Sequence, residues 1–118
     1  MKLNHLNLTV TDVAAAAGFL TTYFGLKNQG GNAGMTLLTD TGGFDGMILT
    51  RMKAKASTFG GYPETFHIGF FFQGREDVDR LSARLQADGF DAGSPEETGH
   101  SYGFYIDAPG GVTVEVGA

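Results

Sequence analysis

The sequence predicts an α+β fold in which two tandem βαβββ units form one curved mixed sheet with helices on its outer face. Three observations predict it. Residues 3–10 alternate with a period of two, a stripe of helical period ending at a glycine follows, and the same order begins again near residue 64.

The first strand is LNHLNLTV, residues 3–10. Leu3, His5, Asn7 and Thr9 lie on one face, while Asn4, Leu6, Leu8 and Val10 lie on the other. The second face is mainly aliphatic and suits packing against a helix. Thr11 and Asp12 supply capping oxygens for that helix. Val13, Ala16, Ala17, Leu20 and Phe24 recur at helical spacing and form its buried stripe. Gly25 stops the helix by taking a left-handed conformation. Two short strands are expected next, MTLLTD at 35–40 and GMILTRM at 46–52. The intervening Thr41-Gly42-Gly43-Phe44-Asp45 reads as a hairpin turn.

The second half repeats this order. ETFHIGFFF at 64–72 is a strand with His67, Gly69 and Phe71 on one face and Phe66, Ile68, Phe70 and Phe72 on the other. The polar run Gln73-Gly74-Arg75-Glu76-Asp77 opens a helix carrying Val78, Leu81 and Leu85, and Gly89 ends it. SYGFYID and VTVEV then form two strands around Ala108-Pro109-Gly110-Gly111. Unit one therefore spans 1–53, the linker 54–63 and unit two 64–118. One unit has too little apolar surface to close a core alone, so 1–118 reads as a single domain with a concave groove.

The totals exclude several classes of function. There is no cysteine, so a disulfide framework, a thiolate zinc site and a cysteine nucleophile are ruled out. A formal charge of −5 argues against nucleic acid, whose phosphates need a basic face. Lys53 and Lys55 are the nearest approach to a basic cluster, and they read as solvated. No run is long and apolar enough to span a bilayer, and polar residues interrupt the N-terminus too often for a signal peptide. The expectation is a cytoplasmic protein.

Strand parity selects the groove residues. If the aliphatic faces cover the helices, the opposite faces present His5, Asn7 and Thr9 from the first strand and His67, Gly69 and Phe71 from the fifth. In the last strand Val112, Val114 and Val116 form the apolar face, so Thr113 and Glu115 look into the groove. A carboxylate within an apolar strand is costly unless it has a partner. His5, His67 and Glu115 then make a set of two imidazoles and one carboxylate with open coordination positions. Such a set suits Fe(II), Mn(II), Ni(II) or Zn(II). A lone strand histidine is more often a satisfied structural residue, and Glu115 near the chain end is open to a solvated reading. The recurrence of His at the same place in both units, with Glu115 on the matching face, favours the ligand reading.

LNHLNLTVTD, the helix end YFGL, FHIGFFF and the closing FYIDAPGGVTVEV together resemble the vicinal oxygen chelate superfamily over essentially the whole chain. That superfamily holds glyoxalase I, extradiol dioxygenases, fosfomycin-resistance thioltransferases and bleomycin-resistance proteins. The resemblance implies metal ligands on the first, fifth and eighth strands, here His5, His67 and Glu115. Glyoxalase I enzymes add a fourth ligand, a glutamate on the fourth strand, where this chain has Ile48. Fosfomycin enzymes carry a Lys and a Ser where this chain has Pro95 and Gly99. The resemblance further implies a homodimer, and it gives Tyr105 a hydrogen bond to a substrate oxygen. Thr50 faces the same way as Ile48. His100 reads either as a proton shuttle or as an exposed loop residue. Phe71 and Phe104 read as apolar wall or core.

Two functional expectations follow. The first is a metal-dependent lyase, dioxygenase or transferase acting on a small molecule that chelates the ion through two adjacent oxygens. The second is a metal-free protein that sequesters a drug or other small molecule, as bleomycin-resistance proteins do. A plain interaction module is a third and weaker reading.

Overall fold

The computed structural model describes residues 1–42, 46–51 and 61–118. These contain two helices and two four-stranded mixed sheets, an α+β arrangement in which each sheet is built from a strand, a helix and three strands. The described residues group into two compact units. One comprises Met1–Tyr62 with Pro109–Gly111, the other Pro63–Ala108 with Val112–Ala118.

In the first unit β1 (His5–Val10) leads into α1 (Val13–Phe24), followed by β2 (Lys27–Asn32), β3 (Met35–Thr39) and β4 (Gly46–Arg51). The sheet order is β1-β4-β3-β2, with β1 parallel to β4 and the other pairs antiparallel. Leu8 and Val10 are buried while His5 is exposed, as the alternation of period two requires. Asp12 caps α1: its Oδ1 accepts from the Ala15 backbone N–H at 2.9 Å. Gly25 ends the helix at φ 69°, a left-handed conformation that a side chain would oppose. Val13, Ala16, Ala17 and Leu20 are buried as expected, and Phe19 joins them. Phe24 is only half-buried. Removing the cap should be felt directly. Asp12→Ala is expected to lower stability by about 1 kcal/mol, read as a shifted urea midpoint with unchanged slope.

The second unit runs β5 (Ile68–Phe71), α2 (Arg75–Ala87), β6 (Glu96–Glu97), β7 (Tyr102–Ala108) and β8 (Val112–Gly117), in the sheet order β5-β8-β7-β6. β8 is parallel to β5 and antiparallel to β7. Val78 and Leu85 from α2 are fully buried, as are Val114 and Val116 from β8. The Tyr102 hydroxyl donates to Asp79 Oδ1 at 2.6 Å and ties β7 to α2. That bond, before any other influence, raises the Tyr102 pKa above its ordinary value.

Two strands escape the reading from periodicity. β2 is KNQGGN, exposed throughout, and it pairs with β3 around an irregularity between Asn28 and Gly31. An edge strand with no buried side chain has no alternation to betray it. β6 has only two residues. The fifth strand is also shorter than 64–72: Glu64 and Thr65 form a turn, and His67 immediately precedes β5. The expected hairpin turn at 41–45 lies partly, and the linker at 54–63 mostly, outside the described residues, as do Met52, Lys53 and Lys55. No helix among the described residues is long and apolar enough to cross a membrane.

Candidate metal-binding groove

The second sheet builds its open face from register. β8 lies between β5 and β7, and Glu115 pairs with Gly69 on one side and Tyr105 on the other. Two residues along, Thr113 pairs with Asp107. His67 shares the parity of Gly69 and comes one position before the strand, so its ring reaches the same face. The alternate residues Val112, Val114 and Val116 are buried, which holds Thr113 and Glu115 outward.

His67 Nε2 lies 3.2 Å from Glu115 Oε2, and the two side chains are 39% and 19% exposed. The Tyr105 ring meets the His67 ring edge-on at a centroid distance of 5.5 Å. The pKa of Tyr105 is raised, first by partial desolvation, then by its hydrogen bond to Glu115 and by the charge of that carboxylate. Its phenol therefore stays protonated at neutral pH and can donate a hydrogen bond. Together with Glu64, Thr65, Asp107 and Thr113, His67 and Tyr105 line an open depression of about 580 Å³. The Thr113 hydroxyl donates to Asp107 Oδ1 at 2.9 Å.

The tautomer of His67 bears on what this pair can hold. Nδ1 lies 3.0 Å from the Thr65 carbonyl oxygen. A carbonyl only accepts, so Nδ1 carries a hydrogen, and in a neutral ring Nε2 would turn its lone pair towards Glu115. A lone pair and a carboxylate oxygen repel at this distance unless a proton or metal cation stands between them. With metal–ligand bonds of about 2.1 Å, adjacent ligands stand roughly 3.0 to 3.4 Å apart. The separation of the pair falls in that interval. A ligand histidine whose other nitrogen is held by a carbonyl is also the usual supporting arrangement at metal centres. Two donors so placed could occupy adjacent positions on a divalent ion, whose remaining ligands would have to come from elsewhere.

His5 belongs to the first unit, exposed at the start of β1, with Nδ1 donating to Asn4 Oδ1 at 2.9 Å. Its register partner is Gly46, and that of Asn7 is Ile48, so Ile48 and Thr50 share its face. Ile48 offers no donor atom to a metal. The Thr50 hydroxyl spends its hydrogen on Asn7 Oδ1 at 2.9 Å. Among the described residues no group of three or more His, Asp or Glu side chains has metal-holding geometry. His67 and Glu115 are therefore the expected ligands that the structure brings together.

The remaining candidates separate cleanly. His100 is exposed in the turn that Thr98 and Ser101 close by backbone hydrogen bonding. Phe104 is 5% exposed and belongs to the core, whereas Phe71 is 59% exposed on the groove face. Glu64, Thr65 and Asp107 were missed by sequence reasoning. Asp107 was within its reach, because it has the parity of Tyr105; Glu64 and Thr65 sit in a turn, where parity gives no direction.

The comparisons with known proteins agree with this architecture. A structure described as a possible glyoxalase from Bacillus cereus is 40% identical, with a TM-score of 0.88, covering 100% of this chain and 99% of that one. A lactoylglutathione lyase from Agrobacterium tumefaciens is 23% identical, with a TM-score of 0.75, covering 98% and 92%. The fosfomycin resistance protein FosX from Listeria monocytogenes is 18% identical, with a TM-score of 0.79, covering 100% and 93%. The last two are likenesses of fold alone. Among curated proteins none matches the chain. A family model matches residues 2–116, and the chain accordingly belongs to the Glyoxalase/Bleomycin resistance protein/Dioxygenase superfamily.

Proposed function

We propose that the protein is a divalent-metal-dependent enzyme acting on a small molecule that binds the ion through two adjacent oxygens. His67, Glu115 and His5 are the proposed ligands, and the ion is Fe(II), Mn(II), Ni(II) or Zn(II). The observation that carries this reading is the His67–Glu115 pair at 3.2 Å, with the far nitrogen of His67 fixed by the Thr65 carbonyl. A bound ion would supply Lewis acidity to the chelated oxygens. The protein's own groups do the rest. Thr65 holds the imidazole in the ligating tautomer, and Tyr105 donates a hydrogen bond to substrate oxygen as charge develops there. Phe71 gives the groove an apolar wall.

Ile48 stands where glyoxalase I enzymes carry a fourth ligand, so the reaction is a lyase, dioxygenase or transferase step other than theirs. The protein is read as a cytoplasmic homodimer, and sedimentation would measure the dimer. Elemental analysis of protein purified without chelator, followed by titration with Mn(II) and Zn(II), tests the central claim. About one ion per chain is expected. Protein that neither contains nor takes up a divalent ion would sink the reading.

One observation favours a second function. Phe71 and Tyr105 are 59% and 49% exposed on the same sheet face, an aromatic surface suited to a planar ligand. Tight binding of such a ligand, indifferent to EDTA in calorimetry, would identify a sequestering protein.

A further inference from the structure

The charge of the groove carries an inference that rests on the proposed metal-assisted reading and narrows its substrate class. Among the described residues six line the depression, and two of them, Glu64 and Asp107, bear carboxylates that the metal reading does not use. None of the six is a lysine or arginine. Asp107 is the better placed of the two. Its pairing with Thr113 sets it two residues along β7 from Tyr105, on the face that also carries Glu115. The Thr113 hydroxyl donates to Oδ1 and steadies the carboxylate, while Oδ2 has no hydrogen bond among the described residues.

A divalent ion held by a neutral His67 and by Glu115 would carry one net positive charge. Asp107 and Glu64 more than cancel it, and their field falls on whatever extends from the chelated oxygens along the groove. An anionic tail there would meet two carboxylates without a counter-charge among the described lining residues. An ammonium or guanidinium tail would form a charge-assisted hydrogen bond with Asp107 Oδ2. We infer that Asp107 is a specificity-determining residue, and that the groove takes substrates bearing a cationic group beside their chelating oxygens and discriminates against anionic ones.

Three probes of one shape and different charge test this: benzylamine, benzyl alcohol and benzoate. Each is titrated into the isotopically labelled full chain, with and without Zn(II), while the backbone amide signals of His67, Asp107 and Thr113 are followed. Benzylammonium should bind about fivefold tighter than benzyl alcohol at low salt, the range of a partly exposed ion pair, and benzoate more weakly than the alcohol. Asp107→Asn keeps an acceptor for Thr113 and so keeps the fold. It should erase most of the advantage of benzylammonium over benzyl alcohol. Equal affinity for all three probes, tighter binding of benzoate, or an ammonium preference that survives in Asp107→Asn would overturn the inference, and the double variant with Glu64→Gln shows whether Glu64 carries such a surviving preference. The zinc arm separates the two levels. Absent zinc uptake with a charge preference that follows Asp107 defeats the metal reading alone, whereas zinc binding without the preference defeats this inference alone.

Discussion

If His67 and Glu115 hold a divalent ion as proposed, replacing Glu115 with glutamine should remove most of the affinity for it while leaving the fold in place. Glutamine has the same shape, and its amide N–H can donate to the lone pair on His67 Nε2, so the 3.2 Å contact persists as an ordinary hydrogen bond. What disappears is the negative ligand atom. Four-ligand zinc sites bind with roughly 10–16 kcal/mol, so one ligand is worth about 3 kcal/mol, or some hundredfold in affinity. The difference is readable as stability. At a zinc concentration about a thousand times the wild-type Kd, binding stabilises the fold by about 4 kcal/mol, and a hundredfold weaker variant keeps only about 1.4 kcal/mol. Thermal denaturation with and without zinc measures both quantities. Equal protection of the variant and the wild type would mean that zinc binds elsewhere.

A large loss of stability is expected on substitution of Gly103. A Cβ built there would lie 2.0 Å from the Val116 carbonyl oxygen and 2.9 Å from the Gly117 Cα. Both are backbone atoms of the neighbouring strand, locked by the β7–β8 ladder in which Gly103 pairs with Gly117. They cannot give way without opening the sheet that carries Glu115 and Tyr105. Gly103→Ala should therefore cost about 3 kcal/mol, the upper range for overpacking, or prevent folding. Gly117→Ala is the instructive contrast. Its Cβ would meet the Phe71 ring at 2.7 Å, but Phe71 is 59% exposed and free to swing away. That change should cost less than about 1 kcal/mol and show itself as a displaced aromatic ring in the groove. Urea unfolding of both variants decides the matter, and a Gly103→Ala protein as stable as Gly117→Ala would refute the packing argument.

Legibility in the sequence followed burial. β1 and β8 were readable because one face of each is buried, and burial imposes alternation: Leu8 and Val10 in, His5 out; Val114 and Val116 in, Glu115 out. The ends of α1 were readable because Asp12 and Gly25 solve local problems of unpaired amides and left-handed backbone. β2 was illegible for the converse reason. Its six residues bury nothing, and only pairing with β3 makes them a strand. The start of β5 was overextended because residues 64–67 continue the alternation into what is a turn.

The amino-acid sequence by itself determined the fold class, the doubling of the unit and the face on which His67, Glu115 and Tyr105 emerge, since these depend on periodicity and on neighbours a few residues apart. Tertiary structure alone decided how far apart the side chains stand, that the Thr65 carbonyl sets the tautomer of His67, and that Asp107 shares the groove. Those facts arise from the pairing of β8 with both β5 and β7, which joins residues tens of positions apart, and no local pattern encodes a distance across a sheet.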